Sequence, residues 1–136
     1  MTVNFSKRAH RFFIFAAIWS IFLVFLSLQP SKEVEIFLPF DLLASLAHAL
    51  AYFVLAALLC IAIRFWKYSL ISLSLIAFIY ATIWGIINEL AQFYEPTRSP
   101  SIADVVSDSI GAVLSIALFI YWRKRTNPRH RFKKSA

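Results

Sequence analysis

The sequence predicts an all-α bundle of four membrane-spanning helices with both termini in the cytoplasm, and three observations carry that prediction. Hydrophobic residues make up 60% of the 136 residues and charged residues only 15%, against about 45–50% apolar and about 25% charged in soluble domains. The apolar residues gather into long unbroken runs, where a barrel would show alternation in segments of about ten residues. The basic residues stand at the ends of those runs, mostly on one side, the pattern of cytoplasmic loops. So short a chain cannot bury this much apolar surface in one aqueous core, and with a mean hydropathy of +0.71 its main solvent is lipid.

A spanning helix needs about 20 mostly apolar residues. The first run covers residues 12–28 and holds no charge. The second covers 42–63, interrupted by His48. The third covers 68–93, with Glu89 near its end. The fourth covers 102–122, with Asp104 and Asp108 in its first two turns, and a basic tail fills 123–136. Lys7, Arg8 and Arg11 precede the first run in the manner of a signal peptide. Ser27-Leu28-Gln29-Pro30 offers no small-x-small cleavage site, so an uncleaved first helix is expected. No repeat or composition shift divides the chain, which is predicted to form a single domain.

Orientation follows from the cations. The N-terminal segment carries Lys7, Arg8 and Arg11, the second connection Arg64 and Lys67, and the tail seven more, whereas the other side has Lys32 and Arg98. The richer side is assigned to the cytoplasm. The net charge of +7 is thereby explained by topology and attraction to anionic lipid, so no nucleic-acid partner is expected. Trp66 and Trp122 read as interface residues. Cys60 lies within an apolar run and is expected to pack as a small hydrophobe.

All seven acidic residues fall on the opposite, outer side, and the positive-inside rule does not require this because Asp and Glu contribute little to it. Helical spacing places them on shared faces. Asp41, Ser45, His48 and Tyr52 share one face of the second helix. Thr82, Gly85, Glu89 and Gln92 share one of the third, and Asp104, Ser107, Asp108, Gly111 and Ser115 share one of the fourth. His48 and Asp108 each lie about 9 Å inside their helix starts, where a charge costs up to roughly 2.5–3.5 kcal/mol on insertion scales. These faces are predicted to line one outward-opening polar cavity. In the third connection, Ser99 and Pro100 read as N-cap and first helical residue, and Ser101 with Asp104 as a capping box. Arg98 then stands beside a helix start, where anions are favoured.

The segments HALAYFVLAALL and INELAQFYEPTRSPSIADVVSDSIGAVLS resemble the two conserved blocks of the VanZ-like family. The likeness spans about residues 40–115, and its matching positions are Asp41, His48, Tyr52, Glu89, Gln92, Arg98, Asp104, Asp108 and Gly111. The family often has asparagine where Asp108 stands, so this chain adds an ionisable group there. The resemblance implies a bacterial inner-membrane protein, and the family's namesake confers low-level teicoplanin resistance. It implies no defined reaction.

Each candidate carries a structural and a functional reading. His48 is either a neutral imidazole bonded to a neighbouring helix or a general acid/base. Glu89 either snorkels to the interface or serves as a buried partner of His48 or Arg98. Gln92 caps its helix or bonds a ligand. Asp104 is explained as a capping carboxylate, while the depth of Asp108 calls for a partner: His48, Arg98 or a cation. Arg98 pairs with Glu89 or Asp104, or reads an anionic head group through its planar fork. Tyr52 reads as a bonded core aromatic, and Gly111 with Ser107 and Ser115 as a helix-packing stripe. Catalysis would fall to His48, Glu89 and Asp108; binding would fall to Arg98, Gln92, Tyr52, Asp104 and Asp41. The spacing matches no tight metal signature, no cofactor motif is present, and nothing in the pattern sets an oligomeric state. The expected partner is a membrane lipid or lipid-linked envelope precursor at the outer leaflet; a non-catalytic binding, scaffold or small transport module is the alternative.

Overall fold

The computed structural model describes residues 2–30, 41–64 and 69–126. Four helices account for nearly all of them: α1 Thr2–Ser27, α2 Asp41–Ile63, α3 Leu70–Gln92 and α4 Ile102–Thr126. Each contains a segment long and apolar enough to cross a membrane, which makes the chain a multi-pass membrane protein. Successive helices run antiparallel, so α1 begins and α4 ends at the same end of the bundle. That end carries Lys7, Arg8, Arg11, Arg64 and Arg123 and is termed the basic end below; the other is the site end. Lys67, Trp66 and the basic residues beyond Thr126 lie outside the described residues.

Helix bounds follow local chemistry. The hydroxyl of Ser69 accepts from the Ser72 amide at 3.0 Å and starts α3. Phe93 ends it, and Pro96 follows where the helix cannot continue. The start of α4 differs from expectation. Ser101, not Ser99, caps it: its hydroxyl accepts from the Asp104 amide at 3.3 Å, and Pro100 stays outside the helix. The serine whose hydroxyl reaches the third helical amide defines the cap, and Ser101 has that reach.

α2 is the central helix. It packs against the other three, most extensively against α4; α3 also packs on α4, and α1 leans on the α2–α3 pair. Its core stripe of Tyr52, Leu55, Ala56, Leu59, Cys60 and Ile63 recurs every three or four residues, the period of one helical face. Leu73, Ala77 and Ala81 of α3 and Ala112, Ile116 and Phe119 of α4 meet it. Cys60 is buried there as a free thiol. The outward faces are equally apolar: Ile71 is 74% exposed, Leu90 61% and Ile21 66%. Apolar surface on both sides of a helix is stable only when the outer side meets lipid.

In lipid the hydrophobic effect does not drive helices together, so small residues and interhelical hydrogen bonds hold them. Trp19 donates from Nε1 to the Ala51 carbonyl at 2.9 Å and Trp84 to the Ser20 carbonyl at 2.9 Å. At the basic end, Arg123 donates to the Arg64 carbonyl at 3.0 Å, covering an orphan carbonyl of α2. The closest approach is between α2 and α4. A Cβ on Gly111 would overlap the Ala49 carbonyl, so only glycine permits that contact.

Gly111→Ala is therefore expected to separate α2 from α4 and lower stability by at least the roughly 1–3 kcal/mol typical of overpacking. Denaturant titration in detergent micelles measures it, with Val113→Ala on the exposed side of the same helix as control. A Gly111→Ala protein as stable as the control would refute the close approach.

Candidate functional site

Three helices bring ionisable and amide side chains to one depth near the site end. His48 lies two turns into α2 and Asp108 under two turns into α4, while Asn88 and Glu89 lie one turn from the end of α3. At about 1.5 Å per residue these positions fall between roughly 5 and 10 Å below the helix ends.

His48 Nδ1 lies 3.1 Å from Asp108 Oδ1, a hydrogen bond that becomes an ion pair when the imidazole is protonated. Asp108 is 1% exposed, while the His48 side chain keeps 23% of its surface open. Both glycines of the chain serve this pair. Gly111 sits one turn beyond Asp108 and lets α4 approach α2. Gly85 faces the carboxylate from α3: a Cβ there would stand 3.1 Å from Asp108 Oδ2. Glycine at both positions thus opens space for a carboxylate where apolar side chains would otherwise meet.

Beside the pair, buried Asn88 donates from Nδ2 to the Tyr52 hydroxyl at 2.7 Å. Glu89 is engaged at both oxygens: Gln92 donates to Oε1 at 3.1 Å and the Ser101 amide donates to Oε2 at 2.6 Å. The second bond sets a carboxylate against the first amide groups of α4, where negative charge is favoured. In a complete capping box the carboxylate of Asp104 would take that amide; here Glu89 takes it from the neighbouring helix. Among the described residues Glu89 makes no hydrogen bond to His48 or Arg98, the partners expected from sequence, because one of its oxygens is held by Gln92 of its own helix and the other by the α4 start. Asp104 sits in the first turn of α4, its amide bonded to Ser101. Arg98 pairs with neither Glu89 nor Asp104 among the described residues. Asp41 opens α2, and its side chain is outside the described set.

A cavity of about 340 Å³ lies between the site end of α1 and the α2–α3 pair, within the range of small-ligand sites, about 300–1,000 Å³. Leu23 and Leu26 of α1 and Ala47 and Ala51 of α2 give it apolar walls, beside Ser27, whose hydroxyl is turned back to the Val24 carbonyl. His48, Tyr52, Asn88, Gln92 and Arg98 give it a polar side. Four buried polar atoms have no hydrogen-bond partner among the described residues: Thr82 Oγ1, Asn88 Oδ1, Arg98 Nε and Asp108 Oδ2. Each such atom costs about 1–3 kcal/mol, and two of them, on Asn88 and Arg98, belong to residues that line the cavity. A recess of about 450 Å³ between α2 and α4 at the basic end is lined by Phe53, Cys60, Phe119 and Trp122 among others, and none of the four unpartnered atoms belongs to it.

His48, Tyr52, Gln92 and Arg98 therefore share one cavity, Asp108 stands behind His48, and Glu89 anchors the start of α4, in whose first turn Asp104 lies. Among the described residues no group of three His, Cys, Asp or Glu side chains is placed to hold a metal ion. The sequence reading missed Asn88, which follows Gly85 by one turn, precedes Gln92 by one turn and is polar within an apolar run. It also missed the α1 wall, whose leucines carry no polar signal.

Removing His48 leaves the Asp108 carboxylate buried without a partner, whereas removing both groups does not. His48→Ala is expected to destabilise the protein by up to roughly 3 kcal/mol, and adding Asp108→Ala to recover part of that loss. Denaturant titrations of the two single variants and the double variant measure the coupling. Strictly additive losses would mean that the pair does not interact.

No family model, curated protein or solved structure matches the chain, so its likeness to the VanZ-like family stands on the sequence motifs quoted above.

Proposed function

We propose that this chain is a VanZ-like protein of the bacterial inner membrane, with its basic end in the cytoplasm, that binds or acts on a lipid-linked cell-envelope component at the outer leaflet. The observation that carries the reading is a cavity with apolar walls from α1 and α2 and, on its polar side, an arginine and a histidine backed by a buried carboxylate. An amphiphile needs both surfaces. In this reading Asp108 accepts from Nδ1–H of His48, which fixes the tautomer and leaves the Nε2 lone pair free to take a proton, the arrangement of a carboxylate-oriented general base. Arg98 supplies the planar fork that recognises phosphate or carboxylate. Glu89 then acts indirectly, by anchoring the start of α4. Through this chemistry the protein would alter an envelope component and contribute to glycopeptide resistance.

The non-catalytic alternative is favoured by one observation: α3 is tied to its neighbours by polar bonds, Asn88 to Tyr52 of α2 and Glu89 to the Ser101 amide at the start of α4, as a structural polar cluster does. Transport is disfavoured, because the described buried residues of the basic half are Leu59, Cys60, Ile63, Leu73, Ala77, Phe119 and apolar neighbours, with the hydroxyl of Ser115 the one polar group among them.

Cells carrying the wild type or His48→Ala, matched for membrane expression, are expected to differ in one lipid or peptidoglycan-precursor mass. The rate of that change should fall by roughly 10²–10⁴-fold in the variant, together with teicoplanin tolerance. Identical mass profiles, with tolerance surviving the substitution, would exclude acid/base chemistry and leave a binding or scaffold role.

A further inference from the structure

The recess at the basic end runs between two helix faces: Phe53, Ala57, Cys60 and Arg64 of α2, and Ser115 and Trp122 of α4. Its deepest side chains are small and buried, Cys60 at 1% and Ser115 at 3% exposure, whereas Leu118 and Trp122 are exposed at its rim. It therefore opens sideways, onto the lipid-facing surface. From Phe53 to Arg64 it runs about 16 Å along α2, the depth of one leaflet of a hydrocarbon core about 30 Å thick. Its mouth is cationic. Arg64 follows the last residue of α2 and lines the recess; a side chain of this kind lays its stem on apolar surface and carries its charge to the interface. The Arg123 guanidinium is held at the same mouth by two contacts. It donates to the Arg64 carbonyl at 3.0 Å and lies 5.8 Å from the centre of the Phe119 ring, which also lines the recess. No Asp or Glu occurs in residues 1–32, 42–88 or 109–136, so the sequence on either side of the mouth supplies no acidic side chain.

We infer that this recess seats one acyl chain of an anionic phospholipid from the leaflet at the basic end, with the phosphate between Arg64 and Arg123. Any lipid tail can cover a flat apolar wall. A recess between two helices, one leaflet deep and with two guanidinium groups at interface depth, favours an anionic head group above the chain it holds. Trp122 flanks the mouth at the depth where indole rings settle. A second copy of the chain fits the recess less well. Copies in one membrane share their orientation, so a two-fold contact through this face sets Arg64 and Arg123 near their own counterparts, and like charges repel. The inference holds whichever leaflet meets the basic end, and it is independent of the cavity at the site end.

Photocrosslinking tests it on the purified full-length chain in neutral-detergent micelles, with phosphatidylglycerol carrying a diazirine in one acyl chain and adducts mapped by peptide mass spectrometry. Adducts are expected on residues 53–64 and 115–122, in excess over the equally apolar exposed stripe of Ile71, Leu75 and Ile79 on α3. Unlabelled phosphatidylglycerol should displace them, and phosphatidylcholine, which has no net charge, should need roughly five- to thirtyfold more, the value of one to two cations at a membrane surface. Glycerophosphoglycerol, the head group without chains, should not displace them. Arg64→Gln should shrink the preference about fivefold and leave the adducts in place. Ala57→Phe should fill the recess and clear its adducts while leaving those on α3. Adducts spread evenly over recess and stripe, or equal displacement by the two lipids, would overturn the inference, and both readings come from the wild type, so no variant has to fold. Displacement by glycerophosphoglycerol would remove the acyl chain from the recess and leave an ion site. Crosslinks between the α2–α4 faces of two copies that persist as lipid is added would give the recess to a second copy instead.

Discussion

A carboxylate buried between helices in lipid constrains everything around it. Asp108 is 1% exposed in a bundle whose outer faces are isoleucine, leucine and phenylalanine, and an uncompensated charge there would be expelled or the helix would not insert. Three features on three helices answer that constraint. His48 of α2 meets one oxygen at 3.1 Å. Gly85 of α3 leaves room for the other, and Gly111 of α4 brings α2 close enough for the histidine to reach. A chain with two glycines in 136 residues has spent neither on a turn. Both stand inside helices, where glycine costs about 1 kcal/mol relative to alanine, and both are explained by the same side chain.

That constraint also sets the rotation of the helices. With Asp108 turned toward His48 and Gly85, the α4 face bearing Ala112, Ser115, Ile116 and Phe119 is turned to the core, and Ile110, Val113 and Leu114 face outward. With His48 turned toward α4, the neighbouring turn of α2 presents Ala47 and Ala51 to α1, whose Trp19 donates to the Ala51 carbonyl. The small residues on that face of α2 let the cavity remain open where leucines would have filled it. The start of α4 is then tied back to α3 through Glu89 and Ser101, which fixes the 93–101 connection and with it Arg98.

The four spans were legible because spanning imposes a length and a composition that nothing else in the chain shares. The polar faces were legible because helical spacing and depth follow from arithmetic alone. The partners within that cluster were not. The sequence offered Glu89 the interface, His48 or Arg98, and the structure gives it the α4 start instead, because the choice depends on helix rotation, which Gly85 and Gly111 decide only once α2 and α4 are packed. Ser99-Pro100 matched a helix start as well as Ser101 did, and the hydroxyl that reaches the Asp104 amide settled it. Asn88 escaped notice because a neutral amide beside Glu89 looks incidental until Tyr52 is found 2.7 Å away on another helix.

The two halves of the bundle obey different rules, and the difference bears on what the site can do. Toward the basic end the buried residues are apolar or small, and the charged groups there, Arg64 and Arg123, lie at the helix ends. Toward the site end Tyr52, Asn88, Glu89, Gln92 and Asp108 are all buried. A polar group at that depth can be wetted, titrated or reached by a ligand from one leaflet only, because an apolar plug of Leu55, Leu59, Ile63 and Leu73 closes the other direction. A carrier needs alternating access around a site near the midplane, whereas a site open to a single leaflet suits a protein that handles molecules already resident there. Molecules resident in one leaflet are amphiphiles, and the cavity's leucine and alanine walls on one side with His48, Asn88 and Arg98 on the other are what support the proposal that it takes one.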